Sequence, residues 1–378
     1  MHIGIDARLP TYQMGGISQY VLNLLSALAE GRVAHDGIEY TVFQSRKEAR
    51  SYRPAHPDFR QAALWTPCHH RWERWLLGLE LLRHDLDVMH SPDFIPPAFG
   101  ARHRLITVHD LNFLYYPQYL TAESRRYYVG QIEWAVRVAD HIMADSEHTR
   151  LDLIRRLDVP PGKVTTVYLA AGPIYERPVA PEAVESTLRR YDLSPGFVLF
   201  VGTLEPRKNI PMLLRAFAAL RQDGGLGVPL VLVGGKGWLY DDIFQTIEAL
   251  GLQGVVRHLQ GVPDADLACL YQAAGVLALP SHYEGFGLPL LEAMHCGCPV
   301  VASNRASLPE VVGEAGLLLD PDDVDAWVEG LATALLDRER REAMISAGYE
   351  QARRFTWEKT AAATRRLYRK VVCEGWSE

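Results

Sequence analysis

Short apolar runs of strand length recur along the whole chain, and segments of helical period separate them. In the first half the runs are His2 to Ile5, Tyr40 to Phe43, Val88 to His90, Leu105 to Val108, His141 to Ala144 and Val164 to Val167. Between several of them lie the amphipathic stretches Gln19 to Glu30, Trp72 to Leu82, Ala122 to Ala139 and Glu147 to Leu157, where apolar residues return every three or four positions. From Gly172 to Pro181 three prolines and no period mark a linker. A second alternating half then begins. It has strand-like FVLFVG (197–202), LVLVGG (230–235), VVRHL (255–259), VLALP (276–280) and PVVAS (299–303), and helices predicted near Pro211 to Arg221, Asp241 to Leu250 and Ala265 to Ala273.

Alternation of this kind implies crossover connections and mainly parallel sheets. The pattern predicts an α/β protein of two doubly wound, Rossmann-like domains, residues 1–175 and 176–356. A last helix within 357–378 carries arginines on one side and is a candidate to pack back on the N-terminal domain. Ligands of such folds bind beyond the carboxyl ends of the strands, where strand order reverses, so a site in a cleft between the halves is expected. The length of 378 residues agrees with two cores rather than one.

Composition narrows the classes. No apolar run approaches the roughly 18 residues of a membrane span, and MHIGIDARLP lacks the features of a signal peptide, so a cytoplasmic address is expected. Five scattered cysteines with no CxxC pair speak against a disulfide framework or a zinc ribbon. The net charge of −7 is uneven: residues 1–178 hold 20 Lys+Arg and 20 Asp+Glu, which leaves 19 and 26 for the rest, and 11 of the 14 histidines lie in the first half. The N-terminal half is therefore better suited to an anionic partner or a membrane surface. No nucleic-acid partner is expected.

The chemistry concentrates in EGFGLPLLEAM, residues 284–294. Pro289 suits the first turn of a helix, which puts Glu284 in the preceding loop and Glu292 on the first turn. The amides of Gly285, Phe286, Gly287 and Leu288 surround that helix start, and free amides there make an anion site. The two glutamates cannot bind the anion, so hydroxyls flanking it are their expected partners. A diphosphate with a hydroxyl-rich group at each end is a nucleotide sugar.

With GCPVVAS and LPEVVGEAG further on, these residues form an E-x7-E string that resembles the donor domain of the retaining glycosyltransferase family 4, of GT-B fold. The resemblance runs along nearly the whole chain. It implies Glu284 at the hydroxyls of the donor sugar and Glu292 at the nucleotide ribose, and a metal-independent enzyme without a cofactor. Arg207 and Lys208, on the loop of VGTLEPRKN, are expected to stabilise the departing diphosphate. The family's usual arginine after the strand glycine is here Thr203. Gly202, Thr203, Gly234 and Gly261, after strands, are expected to line the donor site.

In the first half Gly15 and Gly16 form a glycine loop able to meet phosphate or acceptor, and His109 and Asp110 follow a buried strand. A histidine at the place of His109 touches the donor sugar in relatives of this family. HDLNFL together with GTLEPRKN resembles bacterial mannosyltransferases of polysaccharide assembly, which implies GDP-mannose as donor and front-face displacement onto a saccharide or lipid-linked saccharide, with contact at the inner membrane surface as one option. Three alternatives stay open: a GT-B epimerase or hydrolase of nucleotide sugars, a non-catalytic nucleotide-sugar-binding protein, and a dinucleotide-dependent oxidoreductase, against which the absence of G-x-G-x-x-G after either first strand speaks. The pairs Asp85/Asp87, Asp264/Asp266 and Asp320/Asp322 have D-x-D spacing but read as caps and turns rather than metal ligands. WERWLLGLELLRHD, residues 72–85, fits an interface-seeking helix, core packing or an acceptor-lining helix equally well.

Overall fold

Parallel pairing organises both halves of the computed structural model, which describes residues 1–12, 15–31, 37–119, 122–224 and 227–374. The chain divides into two units, Met1–Leu169 with Thr356–Glu378, and Ala170–Phe355. In the first, β1 (His2–Asp6), β2 (Glu39–Ser45), β3 (Phe59–Leu64), β4 (Leu86–Ser91), β5 (Ala101–Val108), β6 (His141–Ala144) and β7 (Val164–Thr166) form one sheet in the order β3-β2-β1-β4-β5-β6-β7. The second holds β8 (Val198–Val201), β9 (Leu230–Val233), β10 (Val256–Leu259), β11 (Val276–Leu279), β12 (Val300–Ser303) and β13 (Leu317–Leu319) in the order β10-β9-β8-β11-β12-β13. Every named pair is parallel.

Strands buried on both faces read as unbroken apolar runs, and VLFV, LVLV and VLAL in the second unit are buried at every position. Two strands carry no such signal. β3 is an edge strand whose sequence FRQAAL buries only its two ends, and β13 is three half-buried leucines. Helices Pro181–Arg190, Val324–Leu336 and Arg338–Ala352 also lie outside the elements predicted above. Strand order turns in opposite directions from β1 to β4 in one sheet and from β8 to β11 in the other. These are the two places where crossovers leave to opposite sides and open a crevice at the carboxyl ends of the strands.

Helix Trp357–Glu374 belongs to the first unit and lies on helix Gly16–Glu30. Arg365 donates from Nη2 to the carbonyl of Gly31 (2.8 Å), Thr360 Oγ1 donates to the carbonyl of Tyr168 (2.7 Å), and the Tyr368 hydroxyl meets His90 Nδ1 at 2.8 Å. The other ring nitrogen of His90 meets Thr107 Oγ1 at 2.9 Å. Burial, with a smaller contribution from the charge of His109, lowers the His90 pKa to about 3, so the ring is neutral and both its nitrogens use hydroxyl partners. Tyr368→Phe leaves one of them buried and unpaired. The expected cost is about 1–3 kcal/mol, read in a urea titration as an earlier midpoint at unchanged slope.

Candidate active site

The crevice between β8 and β11 brings together residues 76 and 77 positions apart in sequence. β8 runs into Gly202, and the turn Pro206–Lys208 then feeds a helix, while β11 runs into the loop that carries Glu284. Lys208 Nζ donates to Glu284 Oε1 at 2.5 Å, Arg207 Nη1 to Oε2 at 3.0 Å, and Ser281 Oγ to Oε1 at 2.6 Å. Arg207 also reaches the carbonyl of Tyr283 (2.9 Å) and pairs through Nε with Glu205 at 2.6 Å. Glu205, Lys208 and Glu284 are all buried. Burial by itself pushes the Glu284 carboxyl up, but the charges of Lys208 and Arg207 and the hydrogen bonds to it outweigh this and hold its pKa at about 2. Burial likewise lowers the pKa of Lys208.

The loop backbone is fastened from the neighbouring strand end. Ser307 Oγ donates to the carbonyls of Glu284 and Phe286, both at 2.9 Å, and Ser303 Oγ to that of Ser281 at 2.5 Å. Gly287, at φ +105°, caps helix Leu288–His295 with Pro289 in its first turn, a backbone conformation that glycine adopts without steric cost. Phe286 turns its ring into the core against Phe355, at 5.8 Å between centroids, so only its backbone can serve a ligand.

Glu292 lies on the second turn of this helix and not on the first, because the helix already begins at Leu288. Its Oε2 accepts from the Tyr271 hydroxyl at 2.8 Å, and burial raises its pKa to about 7. Gly202 and Gly234 have a packing role at the strand ends: a Cβ on Gly234 would sit 2.0 Å from the Gly202 carbonyl oxygen. Thr203 is exposed beside them, and nothing crowds Gly261. Each D-x-D pair has an acid engaged by a protein partner. Asp266 accepts from Arg190 and Tyr191, Asp320 from Arg305, and Asp85 and Asp87 pair with Arg102. A groove of about 900 Å³ that includes Gly196 and Gly275 lies at the opposite, amino ends of β8 and β11.

In the first unit His109 follows β5. Its Nδ1 meets Asp145 Oδ2 at 2.6 Å and its Nε2 meets the carbonyl of Pro92 at 2.7 Å. Both partners only accept, so the ring carries both protons. Burial alone would lower its pKa, but Asp145, with a smaller contribution from Asp93, raises it to about 9. For His109 to reach a sugar hydroxyl it must exchange the Pro92 carbonyl. Asp110 is engaged locally, accepting from the backbone and side-chain nitrogens of Asn112. Gly15 and Gly16 open helix Gly16–Glu30, and a Cβ on either would meet open space; the neighbouring Gln13 and Met14 lie outside the described residues.

Sequence reasoning missed Glu205, which lies inside VGTLEPRKN, and Asp145, which directly follows the strand-like run His141 to Ala144. It also missed a buried network at the β1–β4 crevice, where fully buried Arg8 donates to Asp6 (2.6 Å), Glu73 (2.7 Å) and the carbonyl of Thr66 (2.8 Å). Beside it Asp6, His69, Glu73, Ser91 and Asp93 line a cavity of about 20 Å³, room for a single water.

Known proteins match this chain in sequence and in fold. The model for "Glycosyltransferase Family 4" matches residues 14–170 and that for "Glycosyl transferases group 1" residues 190–351. O-antigen chain mannosyltransferase B of Escherichia coli is 35% identical over 375 residues, covering 95% of this chain and 97% of its own. The chain belongs to glycosyltransferase family 4. This family 4 chain also shares its fold with sucrose-phosphate synthase of Thermosynechococcus elongatus (TM-score 0.77, 23% identity, 98% of each chain covered) and with HepE of Anabaena in complex with UDP-glucose (0.75, 18%, 98% of this chain and 100% of that one). The GT-B fold expected from the sequence is thus the fold found. The enzyme is a glycosyltransferase. Among the described residues, no helix is long and apolar enough to cross a membrane.

Two outcomes are expected at these sites. Lys208→Ala leaves Glu284 with half of its charge compensation, at a cost of about 3–5 kcal/mol, measured by chemical unfolding. The folded-state pKa of His109 lies above the ordinary 6.5, so its pairing with Asp145 stabilises fully below pH 6.5 and the gain is lost as pH rises through about 9. NMR titration of the ring should give a midpoint near 9 in the native enzyme and a clearly lower one in Asp145→Asn.

Proposed function

We propose that this glycosyltransferase moves mannose from GDP-mannose, with retention, onto a saccharide or lipid-linked saccharide during polysaccharide assembly. The observation that carries the proposal is Glu284, a buried carboxylate kept ionised at the mouth of a helix. Such a group can only accept hydrogen bonds, and the hydroxyls of a sugar are donors of the right kind. The mannose and polysaccharide parts are supported by the 35% identity to the O-antigen chain mannosyltransferase along 95% of the chain and by the HDLNFL and GTLEPRKN strings.

In this reading the diphosphate lies at the amides of residues 285–288, with Glu284 at the sugar and Glu292 at the ribose. Two carboxylates at opposite ends of a donor cannot act as the closely spaced nucleophile and acid of a retaining glycosidase. The step is therefore a displacement on one face. The bond from the anomeric carbon to the diphosphate oxygen breaks, the acceptor oxygen forms its bond on the same side, and the acceptor proton passes to the diphosphate. Charge grows on the leaving group, and the helix amides with the cations Arg207 and Lys208 meet it, in a scheme that uses neither metal nor cofactor. The half with the greater share of basic residues and histidines takes the acceptor, working at the cytoplasmic face of a membrane when that acceptor is lipid-linked.

Thermal-shift measurement against GDP-, UDP- and dTDP-sugars tests the donor. Ligand at 100 times its dissociation constant adds about 2.7 kcal/mol, so GDP-mannose should raise the midpoint by several degrees and the other donors by less. Transfer should be unaffected by EDTA, and NMR of the product should show the anomeric configuration of the donor. Release of GDP at equal rates with and without acceptor would instead assign a hydrolase or an epimerase.

A further inference from the structure

Helix Glu73–Leu81 is apolar on two opposite faces. Inward, Leu77 and Leu81 pack with Phe43, Leu64, Leu86 and Met89, and Gly78 lies against Phe99. Outward, Trp72, Trp75, Leu76, Leu79 and Leu82 recur at helical spacing with 42–62% of their surfaces exposed, and Trp65 beside them is 67% exposed. A helix apolar all round normally belongs in a core or in lipid, and a contiguous apolar patch on a surface marks an interaction site.

Charge decides what covers it. The exposed arginines Arg71 and Arg83 flank the patch, Arg71 lies over the Trp72 ring, and Arg46 stacks on Trp65 at 3.5 Å. Both carboxylates of the helix serve the fold, and Asp85, exposed just beyond Arg83, pairs with Arg102. Glu73 is buried against Arg8, and Glu80 accepts from the amides of Trp65 (2.8 Å) and Thr66 (2.9 Å). What faces outward is thus tryptophan, leucine and arginine. A second copy of the chain fits badly, because a two-fold contact would set these arginines against themselves.

We propose that this face seats the enzyme on an anionic lipid bilayer. Tryptophan rings and leucines enter the headgroup region while arginines stay at the lipid phosphates, and the helix lies in the interface without crossing it. Trp65 directly follows β3, whose carboxyl end is also the end of the parallel sheet at which His109 and Asp145 stand. The surface would bring a lipid-linked acceptor to that end of the sheet, a consequence that rests on the glycosyl-transfer reading above.

Vesicle co-sedimentation, without donor or acceptor, tests the surface independently of that reading. The full chain should bind phosphatidylcholine vesicles containing about one-third phosphatidylglycerol at least tenfold better than pure phosphatidylcholine. Trp72→Glu with Leu79→Glu, and separately Arg71→Glu with Arg83→Glu, should each weaken that binding by about tenfold or more while circular dichroism stays native. If the first pair fails to fold, Trp75→Ser with Leu82→Ser replaces it. Transfer to a water-soluble saccharide should be unchanged in every folded variant. Absent or charge-independent vesicle binding, binding untouched by the variants, or a dimer in sedimentation velocity that Leu79→Glu dissociates would overturn the proposal.

Discussion

Glu284 sits in the interior of its unit with one ammonium at 2.5 Å and one guanidinium at 3.0 Å. Moving such a carboxylate out of water costs several kcal/mol, and the return from pairing seldom exceeds that cost. The cluster of Glu205, Arg207, Lys208 and Glu284 therefore does not exist for stability; an apolar replacement would serve the fold as well. Its consequence is chemical: a carboxylate fixed in its ionised form, in a place where water does not compete for it. Ser281, Ser303 and Ser307 hold the loop that presents it, so its position is set by the β11 and β12 ends rather than by the flexibility of its own side chain.

That position follows from topology. β8 and β11 are neighbours although 74 residues separate their ends, and their outgoing loops converge because strand order reverses between them. The helix that starts after Glu284 directs its amide end to the same place. The first sheet repeats the scheme with different contents. Its reversal carries the neutralised Arg8 network and, two strands further, the His109 imidazolium with Asp145. One unit thus offers a hydroxyl acceptor beside a helix mouth, and the other offers mixed charge suited to a second polar substrate.

The interior strands were legible because burial on both faces leaves no choice of residue type: β8, β9 and β11 are unbroken apolar runs. β3 and β13 were not, since edge strands alternate or stay half-exposed and their pairing depends on the neighbour. Glu284, Arg207, Lys208 and the helix start were each readable in local strings. Their mutual pairing was not, because nothing in a string records which side chains 76 positions apart will meet. Placing Glu292 a turn too early has a local cause: Pro289 fits either the first or the second helical position, and the left-handed Gly287 puts it in the second. For residues 72–85 the sequence left a core helix, an interface helix and an acceptor-lining helix undecided, and burial shows why the first two were both open. The helix has an apolar face for each.

In the proposed donor complex Glu284 serves the sugar and not the nucleotide. Dissociation constants of GDP and of GDP-mannose, measured by calorimetry for the native enzyme and for folded Glu284→Gln, test it most directly. Loss of hydrogen bonds to a charged group predicts GDP-mannose binding weaker by about tenfold to a hundredfold, with GDP binding nearly unchanged. Equal weakening of both ligands, or full affinity for GDP-mannose, would contradict the account.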